Sequence, residues 1–256
     1  MRRVCALLAL AVVTAGLPTA APAAGFAPTG PSCKVAPKNA WTVCPRAHLA
    51  GKNFAHSDLR NANFSRADLT GAILTGANLA TADLTRARLA RARLDSSNLA
   101  FANLTGSDAT GANLARATLS SANLSGAHLS KANLIRAILL GANLTGANLA
   151  GANLTNANLA GGNLEGANLT GANLAGANLA GANFSHANMS HARLASATLS
   201  GAYLLGSNLS GANLFGTILL GADLSRANLA RAKFGNNAWF DTICPNGKKT
   251  KKGCKA

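Results

Sequence analysis

Residues 171–184 read GANLAGANLAGANF. One five-letter word, Ala-Asn-Leu followed by two turn-forming residues, is repeated here without a break. Its period belongs to no regular element. An α-helix advances about 100° per residue, so five residues leave a drift of about 140° per word and the leucines scatter around the axis. A flat strand has period two, so an odd repeat sends successive leucines to opposite faces. Both fail to bury every leucine. A short extended piece followed by a corner succeeds. The small residue and the leucine are two apart and point the same way in extended chain, while the Asn between them points outward. Gly, Ser, Thr and Asn tolerate the turn dihedrals of the corner. The chain then coils with Ala and Leu facing an axis, and a composition that looks too simple to fold becomes a rigid solenoid.

The word governs most of the chain. Its Leu or Phe falls at every fifth position from Leu49 to Phe234, 38 consecutive words with no insertion. The centre departs from Leu or Phe only at Ala109 and Met189. Two places earlier stands a small residue, usually Ala, replaced by Ser57, Ser97, Ser107, Ser207, Gly162 or Thr217, and by a large residue only at Lys52. Ala109 takes the place of a core leucine between Leu89 and Leu129, which predicts a pinch or a small cavity.

The word A-(N/D)-L-x-x, as in Ala77-Asn78-Leu79-Ala80-Thr81, resembles the pentapeptide-repeat family over residues 46–236. The resemblance implies an all-β fold: a right-handed, four-sided parallel β-helix with one word per side and four words per coil. On that geometry the chain makes about 9.5 coils and, at about 4.8 Å between stacked strands, a rod about 45 Å long.

The flanks read differently. MRRVCALLALAVVTAGLPTAAPAAG has the form of a secretory signal: Arg2 and Arg3, an apolar run from Cys5 to Ala15 too short to span a bilayer, then Gly16, Pro18 and an A-x-A site at Ala21 and Ala23. Cleavage after Ala23 or after Ala24 fits equally, and an uncleaved anchor is the alternative. The reading divides the chain into a signal peptide (1–23), an N-terminal cap segment (24–45), the repeats (46–236) and a C-terminal cap with a basic tail (237–256). Outside the signal, no segment is long and apolar enough to be a transmembrane helix. Export implies secretion to the cell envelope or beyond, and an oxidising compartment. Cys33, Cys44, Cys244 and Cys254 then remain, with three possible pairings. The rod length that the resemblance implies keeps the two ends far beyond disulfide reach. It therefore selects Cys33–Cys44 and Cys244–Cys254, with Trp41, Trp239 and Phe240 as lids over the ends of the core. The alternative is flexible tails whose cysteines pair with another chain.

On a coil of four words, every fourth word stacks on the first. One outward column then runs His48, Asp68, Arg88, Asp108, His128, alternating acid with base, and continues as Asn148, Asn168, Asn188, Asn208 and Asn228. Stacked opposite charges are favourable by roughly 0.2–1 kcal/mol each, and stacked Asn amides form hydrogen-bonded ladders. The chain's formal net charge is +16, unevenly placed. One half of the coil carries twelve basic side chains against two acids, Asp68 and Asp108; the other carries three against five. Arg66, Arg86, Arg88, Arg91, Arg93, Arg226, Arg231 and Lys233 on the basic half are candidate anion-binding residues, since a one-sided basic surface attracts anions through its long-range field. The competing explanation is solubility with drift toward Arg. Ile138, Leu140, Ile218 and Leu220 form an apolar outcrop, the second pair repeating the first four coils further on. The duplication accounts for it, or it is a protein-contact stripe.

Catalysis needs a concave site with paired acids, bases or nucleophiles. The acids here are scattered, and His186 and His191 have neither carboxylate nor thiol beside them in the pattern. No catalytic set, cofactor or metal site is expected. Some pentapeptide-repeat proteins mimic B-DNA and act as acidic decoys for type II topoisomerases; a basic rod is not expected to do so. The sequence supports a non-enzymatic secreted scaffold or protein-interaction rod, or alternatively an electrostatic binder of anionic polymer. It names neither the partner nor the oligomeric state.

Overall fold

A typical word has its backbone satisfied mostly by the words around it. In the word 77–81, four of the five N–H groups donate to backbone carbonyls: Ala77 to Leu74 (3.0 Å), Asn78 to Ser57 (2.9 Å), Leu79 to Asn98 (2.6 Å) and Thr81 to Ala100 (2.9 Å). The fifth, on Ala80, donates to the Asn78 side-chain oxygen at 3.3 Å. The outward Asn or Asp is therefore the acceptor for the one donor that stacking leaves over, which a buried or half-buried N–H requires. This recurs along the chain, for example from Thr170 to Asn168 and from Ser225 to Asp223.

The structure, a computed structural model, describes residues 34–35 and 42–254. Parallel bridges join each outward position to the one four words later, from His48↔Asp68 to Asp223↔Ile243, in four columns. The fold is an all-β solenoid with a four-word rung and four bridged walls. The bond from each small residue back to the preceding centre, such as Ala62 to Leu59 at 3.1 Å, closes a four-residue turn. Its third residue is left-handed, at φ 64° in Gly171 and 57° in Arg91. Glycine suits that place because a Cβ there costs about 1–2 kcal/mol. Leucines and alanines fill the axis: Leu69 through Leu224 and the alanines beside them are almost wholly inaccessible to solvent. Each buried leucine contributes about 1.5–3 kcal/mol.

The ends are closed differently from one another. At the N-terminal end, β1 (Lys34–Val35) pairs antiparallel with β2 (Thr42–Val43), with Lys34 opposite Val43. Cys44 is buried and disulfide-bonded; Cys33 and Trp41 lie outside the described residues, as does the signal segment. At the C-terminal end, β3 (Thr242–Ile243) pairs antiparallel with β4 (Lys249–Thr250). Ile243 also bridges Asp223, so this hairpin grows out of the last rung. Cys244 and Cys254 are bonded, Cα to Cα 5.3 Å. Trp239 is buried against Phe234, ring centroids 5.2 Å apart, and closes the core. Phe240 does not: it is 60% exposed, because it occupies the corner position that follows the centre Trp239, and it packs under the Lys251 ammonium instead.

Two further expectations concern Ala109 and the charge column. Ala109 is buried, yet its bond to His128 measures 2.7 Å, against 2.6 and 2.7 Å for the equivalent bonds of Leu89 and Leu129. The rungs therefore stack at Ala109 with the same spacing as at its leucine neighbours. In the alternating charge column the Asp68–Arg88 pair is an ion pair at 3.6 Å. The Arg88–Asp108 and Asp108–His128 steps form none among the described residues. Asp68 instead takes its main stabilisation from the Thr70 hydroxyl at 2.6 Å.

Candidate functional site

The basic half of the coil is built at corners. Arg46, Arg66 and Arg86 occupy one corner in three successive rungs, at φ 56°, 58° and 54°. At most other corners a long side chain is followed, one rung on, by glycine. The Arg86 and Arg91 stems lie over Gly106 and Gly111, and the His56, His186 and His191 rings over Gly76, Gly206 and Gly211. The first Arg corner breaks this rule, so the Arg46 and Arg66 side chains have no glycine platform above them. Arg88 and Arg93 stand on the adjoining walls, bridged to Asp68 and Ile73. Arg226, Arg231 and Lys233 form a second basic group in the last rungs. Among the described residues, Arg88 alone of these eight candidates is ion-paired, and its side chain is still 67% exposed. Arg66, Arg86, Arg91, Arg226 and Arg231 hold left-handed dihedrals that glycine would adopt with less strain.

Two carboxylates are perturbed. The Thr70 hydroxyl holds the Asp68 carboxyl below its ordinary value, with Arg88 and His48 adding to the effect against partial burial. Arg60, hydrogen-bonded through Nε and a terminal nitrogen, does the same to Asp58. Both are held by these partners on a wall of the coil.

The opposite wall carries no charge over a long stretch. Its bridged column is Thr118, Ile138, Asn158, Asn178, Thr198, Ile218 and Ala238. Between Arg136 and Asp241 its outward and corner positions hold only Ile, Leu, Phe, Ala, Gly, Ser, Thr and Asn. Ile138, Leu140, Ile218 and Leu220 are 38, 42, 37 and 41% exposed, and Phe215 is 51% exposed beside the second outcrop. Because Ile138 and Ile218 lack the Asn acceptor, the N–H groups of Leu140 and Leu220 have no partner among the described residues. The wall gives up turn bonds to present hydrocarbon.

A depression of about 420 Å³ lies at the edge of this wall, lined in part by Asp95, Arg116, Ile135, Arg136 and Asn156. The Asp95 carboxylate is engaged by the Thr75 hydroxyl at 3.0 Å and the Asn113 amide at 3.3 Å. Among the described residues no group of His, Cys, Asp and Glu is placed to hold a metal, and no helix is long and apolar enough to cross a membrane. The sequence pattern found the basic and apolar columns. It missed the role of the outward Asn as an N–H acceptor, for which the constant two-residue offset to the corner was the available signal.

No curated protein matches the chain by sequence. Among solved structures it is similar to HetL, a pentapeptide repeat protein involved in heterocyst differentiation regulation from the cyanobacterium Nostoc sp. strain PCC 7120. That match has 33% identity, covers 78% of this chain and 92% of that one, and has a TM-score of 0.47. It is also similar to QnrB1, a plasmid-mediated fluoroquinolone resistance protein, at 19% identity over 68% of this chain and 87% of that one, TM-score 0.38. The family description "Pentapeptide repeats" matches in 8 copies that together run from residue 46 to residue 236. By that match, which covers well over half of its residues, the chain belongs to the pentapeptide-repeat family.

Proposed function

We propose that this protein is a secreted scaffold that works by contact rather than by turnover, and that its uncharged wall is the surface that holds a protein. The signal-like leader brings the chain out of the cytoplasm. A right-handed coil of about 9.5 turns, with two disulfide-closed ends, gives a stiff rod in an oxidising compartment. The observation that carries the reading is the wall itself. A chain of net charge +16 presents on one face, between Arg136 and Asp241, a stretch without an ionised group and with exposed aliphatics at Ile138, Leu140, Ile218 and Leu220, as the core of a protein interface requires. The test is capture of a partner from the envelope that survives high salt and is lost when these four residues are changed to Ser. Capture that vanishes at moderate salt, or survives the substitutions, overturns it.

A second reading, electrostatic binding of an anionic polymer, is favoured by the Arg46–Arg66–Arg86 corner, where arginines sit one rung apart in dihedrals that suit glycine. Its test is retention on an anionic polymer that disappears by moderate salt and fails when Arg86, Arg88, Arg91 and Arg93 become Ser. Retention that is insensitive to either change refutes it.

A further inference from the structure

We infer that the uncharged wall pairs with the same wall of a second copy, antiparallel, about a two-fold axis at the Asn178–Ala180 rung. The inference rests on reading this wall as a contact surface, and it names the occupant. Its basis is the spacing of the outcrops. Ile135, Ile138 and Leu140 recur as Phe215, Ile218 and Leu220 four rungs on, in the same columns. Midway between them the wall is flat and small, with Asn178, Ala180 and Gly181.

A two-fold axis lying in the contact plane and crossing the rod keeps each column opposite itself and reverses the order of rungs. Centred on the Asn178 rung, it sets Ile138 of one copy against Ile218 of the other, Leu140 against Leu220, and Ile135 against Phe215. Each pairing occurs twice, as an isologous contact demands. It also places Arg136, the charged corner at the edge of the wall, against Gly216 of the other copy. A parallel copy reflects the columns across the wall and sets Leu140 against Arg136, which buries a guanidinium on hydrocarbon. The antiparallel register matches hydrocarbon with hydrocarbon at every outcrop; the parallel one does not. Charge points the same way. Each chain carries +16, and this wall lies across the coil from the one bearing Arg88, so the two basic halves face away from each other.

Seven rungs at about 4.8 Å, by about four extended residues at 3.3 Å, give roughly 440 Å² per copy. Counted over both copies this is well short of a standard stable interface, which buries about 1600 Å² in total, so the dimer is concentration-dependent. Because the contact pairs no opposite charges and the mutual repulsion of the two basic chains is screened by salt, it tightens as salt rises.

The oxidised full chain is studied by sedimentation equilibrium from about 5 µM to about 1 mM, covering the affinity range of interfaces this small. The mass is expected to climb toward that of two chains, more steeply at higher salt, and to stay at one chain in Leu220→Asp, with an unchanged circular dichroism spectrum. Register is read by a short bis-maleimide on Leu140→Cys and Leu220→Cys chains. An equimolar mixture cross-links, whereas each variant alone does not, since its own cysteines lie about 19 Å apart across the dimer, four rungs of about 4.8 Å. A monomer at every concentration, or cross-linking within Leu140→Cys alone, overturns the inference. If the chain stays monomeric while Leu140→Asp abolishes salt-resistant capture of another protein, the pairing falls and the protein-contact reading stands. If it dimerises and no other protein is captured, the scaffold reading narrows to self-assembly.

Discussion

Replacing Ala109 by Leu is expected to stabilise the protein. Ala109 is 1% exposed and stands at a core centre that its column neighbours Leu89 and Leu129 fill with leucine at 0% exposure. The backbone bonds through the three positions are 2.7, 2.6 and 2.7 Å, so the rung spacing at Ala109 is that of the leucine-centred words. Leucine adds three carbons to alanine. At about 0.8 kcal/mol per buried carbon, that is roughly 2.4 kcal/mol, and the reverse change in other cores, which also opens a cavity, costs about 2–5 kcal/mol. A gain of about 2–3 kcal/mol follows, which for a domain of this size raises Tm by about 5–10 °C. Differential scanning calorimetry of the oxidised protein measures it. Ala112→Leu is the control: Ala112 is equally buried, at 0%, but at a position where the wall expects a small residue. Overpacking there costs about 1–3 kcal/mol. Since repeats feel mainly their neighbours, hydrogen exchange should slow chiefly at amides of the adjoining rungs. An unchanged or lowered Tm for Ala109→Leu would refute the reasoning, by showing that neighbouring leucines have already closed the gap.

The Ser107 and Ser207 hydroxyls are buried without a partner among the described residues, while that of Ser97 donates to the Leu94 carbonyl at 2.6 Å. Ser107→Ala should therefore stabilise by about 1 kcal/mol and Ser97→Ala should not, as read by urea unfolding. Asn168 accepts from the Thr170 amide and hydroxyl at 3.1 and 2.7 Å; Asn168→Ala should cost about 1–2 kcal/mol and Asn168→Asp clearly less, since the acceptor is kept. Cutting the Cys244–Cys254 bond by Cys254→Ser frees a loop of separation 10 and should cost about 2–3 kcal/mol, with a red-shifted Trp239 emission as the cap opens; an unshifted spectrum counts against Trp239 as the plug. Asp58 and Asp68 titrate below their ordinary 3.8 in the folded chain. The stability they contribute is full above that value and is lost as pH falls toward their folded values. Asp68→Asn should thus flatten the stability profile below about pH 4, and an unaltered profile refutes the assignment.

The fold was legible because one geometric constraint acts on every word. Alanine and leucine two apart, with a corner after them, make a coil that buries all the leucines; the four-word rung, which the period leaves open, came from the family resemblance, and the bridges between successive rungs show it. The site was legible only as columns. Charge bookkeeping by position placed Arg66, Arg86, Arg88, Arg91 and Arg93 on one side, and placed Ile138 and Leu140 in the columns of Ile218 and Leu220. What the columns could not convey was which partners compete. Asp68 lies between His48 and Arg88, yet its nearest partner is Thr70, two residues along the chain, because the corner folds that hydroxyl back while a guanidinium one rung away remains in solvent. Phe240 was misplaced for a related reason. An aromatic beside Trp239 looks like a second lid, but adjacent residues of an extended segment face opposite ways, so burying one exposes the other. Alternation, which rules out a regular strand for the whole chain, still holds within each edge. It also makes the uncharged wall a matter of two positions per word. Exchanging Asn for Ile at the first position removes one N–H acceptor and adds one hydrocarbon patch, without touching the core. A solenoid can thus acquire a binding stripe by a few such exchanges in register, with only the freed corner amides as the local cost.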